Sequence, residues 1–348
     1  MTINLSKSIS NTADRPWYMD PTPIEHGLSR APSDQIRTYA ESFLRDGYVI
    51  IPNSIPVEQC DATLIAFRRL EASNAELFKP HLDLDRHYPR IVNLHLVLPE
   101  LRQLFSQSVM ALAVQDFLFG AETVLYTSLF YERGSAQDLH RDTPYFCTRP
   151  EYRYFGMWVA LEDVDEDNGP LIVMQGGHKM PELDREALAA ELFGSAEAAP
   201  AQSDELWVAY QNRVASAGRD QGLAVRTMPV KKGSTIIWHP QLPHGGAPIR
   251  DLNRTRFSLV MHTTPMNTPV YHQDAFFNPS RPYPTVPSWS YARENGRRFA
   301  RHSTVSFNHQ TNHAVEEFRQ PAPKEPIADR ANDLQPPWWR RAMEWIGR

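Results

Sequence analysis

Gln137-Asp-Leu-His140-Arg-Asp142-Thr-Pro-Tyr-Phe146 sets an imidazole and a carboxylate two residues apart, and His244 follows far downstream in Trp238-His-Pro-Gln-Leu-Pro-His244-Gly-Gly. Two imidazoles and one carboxylate on one face of an octahedron form the facial triad that holds Fe(II) and leaves the opposite positions open. On a strand, side chains at i and i+2 share a face, so His140 and Asp142 can chelate one ion while Arg141 points away or lies along the rim. For the third ligand the chain offers both His239 and His244. His244 is favoured because Gly245-Gly246 permits close backbone approach to the ligand sphere. His239 is then a satisfied neighbour or surface histidine, and stays open as the alternative.

A second constellation follows in Arg254-Thr-Arg256-Phe-Ser258. A guanidinium fork pairs with a carboxylate through two parallel hydrogen bonds, and a hydroxyl two residues along the same strand can add a third. That is a seat for the remote carboxylate of 2-oxoglutarate. Arg256 has the hydroxyl partner Ser258 on its own face; Arg254 lies nearer the turn and is the alternative. His-x-Asp also occurs at His81-Leu-Asp83 and His272-Gln-Asp274, so the pair alone is a weak signal. Only the copy at 140 follows a strand-like run, Val124 to Phe130, and precedes a second histidine with Arg-x-Ser.

The elements that must position these residues read as helices first and strands later. Residues 1–32 are polar and punctuated by proline, which predicts an irregular surface arm. Ser33-Asp34 starts a helix that Asp46-Gly47 ends, Tyr48 to Pro52 is a short strand, and Pro56 opens a second helix whose apolar stripe includes Cys60. Pro99 to Phe119 reads as a further helical block. Beyond Gly120 the period changes to that of strands at Val124 to Phe130, Phe155 to Val164, Leu171 to Met174, Val225 to Val230, Thr235 to Trp238 and Arg256 to His262. Asn168-Gly169 predicts a tight turn joining the strands at 158–164 and 171–174 antiparallel.

The pattern fits a mainly β fold with flanking helices around a double-stranded β-helix, a jelly-roll or cupin-like core. One oxygenase domain over residues 1–348 is expected: the arm 1–32, the core 33–264 with a helical insertion near 183–216 that could cover the mouth of the site, and a proline- and aromatic-rich extension 265–348 packed on the core. A short terminal helix is expected near residues 336–346, either packed on its own domain or forming a dimer contact, so the chain is expected to be a monomer or homodimer.

A formal charge of -5 and a pI near 6.2 argue against nucleic-acid binding. Cys60 and Cys147 are too few and too far apart for a disulfide framework or a Cys-x-x-Cys site. With no signal-peptide core and no stretch of membrane-spanning length, a cytoplasmic location without membrane partners is expected.

Arg45-Asp-Gly47-Tyr-Val-Ile-Ile-Pro52, His140-Arg-Asp142, Trp158-Val-Ala-Leu-Glu-Asp163, Asn168-Gly-Pro-Leu171 with Gly176-Gly-His178-Lys179, and His244 followed by Arg256 stand here in one order. Together they resemble the phytanoyl-CoA dioxygenase family of Fe(II)/2-oxoglutarate oxygenases over roughly Phe43 to Thr263. The family often has serine in place of Gly177 and a different run after the second histidine. The resemblance implies Fe(II), 2-oxoglutarate and O2 as cofactors and cosubstrates, with hydroxylation of a C–H bond and release of succinate and CO2. It places Trp158 in the cosubstrate pocket, with Gln137 beside it, and His178 in a loop outside the metal shell. Related halogenases have a small residue at the position of Asp142, so halogenation is not expected. Tyr131, Tyr145 and Phe146 are candidate walls for a small metabolite or natural-product intermediate, or ordinary barrel core. A metal cupin that does not use 2-oxoglutarate and a non-catalytic binding barrel are the competing readings.

Overall fold

The computed structural model describes residues 15–19, 27–283 and 289–320. Helix α1 (Asp34–Asp46) starts where the Ser33 side chain accepts from the Ile36 N–H and ends where Gly47 adopts φ 86°, as the Ser-Asp and Asp-Gly signals predict. Helices α2 (Val57–Ser73) and α3 (Ala75–Phe78) follow. The block at 99–119 is two helices, α4 (Pro99–Gln107) and α5 (Val109–Phe119). They part at Ser108, whose hydroxyl donates to the Leu104 carbonyl, and the change of direction leaves Val109 67% exposed. The insertion supplies α6 (Arg185–Phe193) and α7 (Asp204–Asp220), and α8 (Gln273–Phe277) packs beside them.

In chain order the first strands are β1 (Tyr48–Ile51), β2 (Ile91–Val92), β3 (Thr123–Tyr131), β4 (Gln137–His140), β5 (Cys147–Thr148) and β6 (Phe155–Ala160). Next come β7 (Leu171–Met174), β8 (Val225–Met228), β9 (Thr235–Trp238), β10 (His244–Gly246) and β11 (Ser258–Pro265). The extension adds β12 (Val270–Tyr271), β13 (Tyr291–Glu294), β14 (Arg297–Ala300), β15 (Thr304–Phe307) and β16 (Thr311–Ala314). A ten-stranded sheet runs β1-β9-β6-β11-β3-β2-β15-β16, with β14 joining β3 and β13 joining β14, and it faces a four-stranded sheet ordered β4-β10-β7-β8. This is the expected jelly-roll with helices on its outer side.

Alternation along the central strands explains why they read as unbroken apolar runs. Met157, Val159, Ile237, Leu259 and Met261 enter the core shared with α1, α2, α4 and α5, whereas Trp158, Ala160, Ile236, Trp238 and Val260 face the interior between the sheets. Both faces are buried, so no polar side is needed. Cys60 and Cys147 are both buried and free, and burial pushes each thiol up to about 11, which leaves little reactive thiolate near neutral pH.

Several expectations are corrected. The strands at 155–160 and 171–174 do not pair: β6 lies between β9 and β11, and β7 lies between β10 and β8 in the other sheet. Gly169 alone takes a positive φ, 78°, while Asn168 uses its side chain to bond the Asp163 and Thr255 carbonyls. The intervening loop therefore carries the chain between sheets instead of closing a hairpin. The arm is not wholly superficial either, since Tyr18 is 4% exposed and Trp17 donates to the Leu118 carbonyl. Strand formation does not end at β11, because β13 to β16 extend the large sheet. The helix expected at 336–346 lies outside the described residues.

Candidate metal centre

The two histidines meet because their strands do. His140 ends β4, His244 begins β10, and they are directly opposed partners in the antiparallel ladder, with ring centroids 4.7 Å apart. Gly245 and Gly246 make that pairing possible: a Cβ on either would lie 2.4 Å from the Gln137 carbonyl or 2.0 Å from that of Ser135. The glycines thus admit the neighbouring strand, and this is a correction to their expected role of admitting the ligand sphere. Asp142 is not on the strand, which ends at His140. It opens the turn after it, where its carbonyl accepts from the Tyr145 and Phe146 N–H groups.

One donor atom from each of His140, Asp142 and His244 falls in a cluster no wider than 4.8 Å. His140 Nδ1 lies 2.8 Å from the Asp138 carbonyl and His244 Nδ1 lies 3.0 Å from that of Leu242. A carbonyl can only accept, so each Nδ1 carries the proton and each Nε2 presents a lone pair, the tautomer a metal ligand requires. Those Nε2 atoms stand 3.5 and 3.2 Å from the Asp142 carboxylate. Burial favours the neutral acid at Asp142, but the surrounding His244, His140 and His262 hold its carboxyl well below the usual range. It is an anion, as a ligand must be.

The cleft between the sheets encloses about 520 Å3 of empty space, part of it open to solvent. Arg256 enters its wall just before β11, 3% exposed, with Nη1 donating to the Gly169 carbonyl at 2.7 Å and the guanidinium 5.6 Å from the Trp158 ring. Burial pushes that guanidinium down to about 10, because among the described residues no carboxylate pairs with it. Arg256 Nε, Ser258 Oγ and Trp158 Nε1 are buried without hydrogen-bond partners among the described residues. Orphaned donors around an unpaired cation fit an incoming carboxylate. Arg254 is committed elsewhere, bonded to Asp165 at 2.8 and 2.9 Å.

Of the other expected residues, Gln137 and Tyr131 line the cleft. Phe146 reaches the site indirectly, stacked on His262 at 3.9 Å, and Tyr145 stands 6.3 Å from Trp207 of α7. His239 is buried beside His178, 4.9 Å away, and Phe43, and both lie outside the cleft lining. Arg141 does not reach the rim: it is 1% exposed and points into the protein, towards Glu182, Tyr210 and the Gly177 carbonyl.

Three participants escape the motif reading. His262 Nε2 lies 3.1 Å from the Asp142 carboxylate, so it can donate a hydrogen bond that orients this ligand. The period-two series Arg256, Ser258, Val260, His262 was the available signal. Trp238 packs 4.7 Å from His244; it fits because Gly156 has no Cβ, which would lie 1.9 Å from its ring. Gln211 of α7 bonds both backbone groups of Arg141, accepting from N–H at 2.8 Å and donating to the carbonyl at 2.9 Å. It therefore fixes the peptide between His140 and Asp142, and no local pattern could reveal that. Gln211→Leu is expected to weaken Fe(II) binding about 10- to 100-fold, the usual effect of losing an outer hydrogen-bond partner. Calorimetric titration with Fe(II) under anaerobic conditions checks this; unchanged affinity in a folded variant would remove Gln211 from the site.

A family model described as phytanoyl-CoA dioxygenase matches residues 43–257. The chain belongs to the phytanoyl-CoA dioxygenase family. The peroxisomal phytanoyl-CoA dioxygenase of Bos taurus is 27% identical over 114 residues, covering 33% of this chain and 29% of that protein; the match thus spans less than a third of the relative's length. Among solved structures, the epimerase SnoN in complex with Fe3+, alpha ketoglutarate and nogalamycin RO is similar at 18% identity and TM-score 0.51, over 80% of this chain and 99% of that one. The non-heme alpha ketoglutarate dependent carbocyclase SnoK from nogalamycin biosynthesis is similar at 15% identity and TM-score 0.52, over 78% of this chain and 98% of that one. These likenesses extend the shared fold well beyond the residues matched by the family model. Among the described residues no helix is long and apolar enough to cross a membrane.

Proposed function

We propose that this member of the phytanoyl-CoA dioxygenase family is a non-haem Fe(II)/2-oxoglutarate-dependent dioxygenase that hydroxylates a C–H bond of a small metabolite or natural-product intermediate. The observation that carries the reading is one cleft holding both the His140, Asp142 and His244 donor cluster and a buried Arg256 with no carboxylate partner among the described residues. His140, Asp142 and His244 would hold the ferrous ion, and Arg256 with Ser258 would take the remote carboxylate of 2-oxoglutarate. When bound, iron and 2-oxoglutarate supply the oxidation of substrate by O2, with succinate and CO2 released.

The chain's own part is binding, orientation and exclusion of water. Backbone carbonyls fix the imidazole tautomers, His262 and Gln211 hold Asp142 and its peptide, and Trp158, Trp238 and Val260 line the wall. With Asp142 as the third ligand no place is left for halide, which supports hydroxylation over halogenation. A metal cupin independent of 2-oxoglutarate would give Arg256 and Ser258 no partner, so the orphaned pair favours the dioxygenase reading. One cytoplasmic domain acting on a small molecule, as a monomer or homodimer and without nucleic-acid or membrane partners, completes the proposal.

Incubation with Fe(II), O2 and 2-oxoglutarate is expected to yield succinate above a metal-free control, with chelator abolishing it and the correct substrate increasing it. Absence of metal-dependent succinate throughout a broad metabolite screen would favour a binding barrel instead.

A further inference from the structure

Arg90 is a second guanidinium in the cleft wall, and the proposed chemistry does not use it. It immediately precedes β2, whose Ile91 and Val92 pair with Phe130 and Leu129, so the next step along the ladder brings Arg90 beside Tyr131. Tyr131 lines the same cleft wall. On its other side Arg90 Nε donates to Asn308 Oδ1 at 3.1 Å, and its carbonyl accepts from the Asn308 N–H at 2.9 Å. Asn308 and His309 form the left-handed turn between β15 and β16, with φ 52° and 60°. The C-terminal extension thus reaches back to brace this arginine through its elbow nitrogen. Among the described residues no carboxylate lies within ion-pairing distance of Arg90.

Charge balance gives that arrangement a use. Among the described residues Asp142 is the one carboxylate in the cleft lining, against Arg90 and Arg256. On the proposed reading, the charges of Fe(II) and Arg256 are matched by Asp142 and the two carboxylates of 2-oxoglutarate. Arg90 remains a fixed cation facing the space left for the primary substrate, and a partly buried cation draws an anion of complementary shape.

We propose that Arg90 recognises a carboxylate on the primary substrate, so that the substrate class is a small carboxylic acid. The inference rests on the dioxygenase reading, and its test separates the two. With Mn(II) replacing Fe(II) and 2-oxoglutarate saturating, paramagnetic relaxation of acetate, with acetamide as neutral control, reports a carboxylate bound near the metal. Wild type is expected to relax acetate and not acetamide. Arg90→Gln should lose acetate binding about tenfold or more, the scale of a charge-assisted hydrogen bond, and Arg90→Lys should restore part of it. In both variants 2-oxoglutarate affinity should change by less than about threefold. Acetate and acetamide behaving alike in wild type, or acetate binding surviving in folded Arg90→Gln, would overturn the proposal. A 2-oxoglutarate affinity that falls with Arg90→Gln would overturn it too, by giving Arg90 the cosubstrate instead. Failure of wild type to bind Mn(II) and 2-oxoglutarate at all would sink the dioxygenase reading itself.

Discussion

Asp142→Ala is expected to reduce Fe(II)-dependent succinate formation by roughly 1,000-fold or more, the scale of the several kcal/mol that a bound metal supplies to a reaction. Asp142 is the one anion in the donor cluster, and three imidazole Nε2 atoms lie within 3.5 Å of its carboxylate. Without it, two neutral nitrogens remain to hold a divalent cation in a buried cleft. Burial then disfavours a cation there, and the two imidazoles keep the Nδ1 contacts to backbone carbonyls that fix their tautomers. Asp142→Glu moves the carboxylate by one methylene and is expected to recover metal binding in part. Succinate measured at saturating 2-oxoglutarate and a range of Fe(II) concentrations separates weak binding from lost chemistry. Full turnover by Asp142→Ala would mean that the metal sits elsewhere.

Arg256→Leu carries the second large effect: a rise in the 2-oxoglutarate KM of about a hundredfold or more. Hydrogen bonds to charged groups are each worth about 1.5–3 kcal/mol, and two of them exceed the roughly 2.8 kcal/mol that makes a factor of a hundred. Leucine replaces the guanidinium beside Trp158 with an apolar side chain and gives up the hydrogen bond to the Gly169 carbonyl, so thermal denaturation of the variant is measured alongside to show that it is folded. Arg254→Leu is the matched control, because that side chain is 34% exposed and paired with Asp165. Its loss should change the KM by less than about twofold, as for surface ion pairs generally. Equal effects from the two substitutions would reassign the cosubstrate seat.

How much of this was legible beforehand depends on the range of the interaction. His140, Asp142 and the pair Arg256 and Ser258 were visible because each is encoded in a spacing of two residues. The first helix was visible because its caps, Ser33 and Gly47, are local chemistry. The supposed hairpin at Asn168-Gly169 failed for the complementary reason: a turn signal says that the chain reverses and is silent on which strand it meets next. Here β6 and β7 found partners in different sheets. Strands β13 to β16 were missed because they are only four residues long and carry Arg297, Arg298, Thr311 and Asn312, too short and polar for a period to stand out. Gln211 and Arg90 were hidden for another reason. Their roles come from contacts with Arg141 and Asn308, distant in the chain and close only after folding.

The most direct test of the central claim is optical and needs no substrate. Fe(II) and 2-oxoglutarate are added to the protein without oxygen, and the visible absorption of a 2-oxo acid chelated to ferrous iron is followed. The account predicts a band that saturates at one equivalent of iron, is lost in His140→Ala, and requires far more 2-oxoglutarate in Arg256→Leu. A wild-type protein that shows no such band, or a band indifferent to both substitutions, would contradict it.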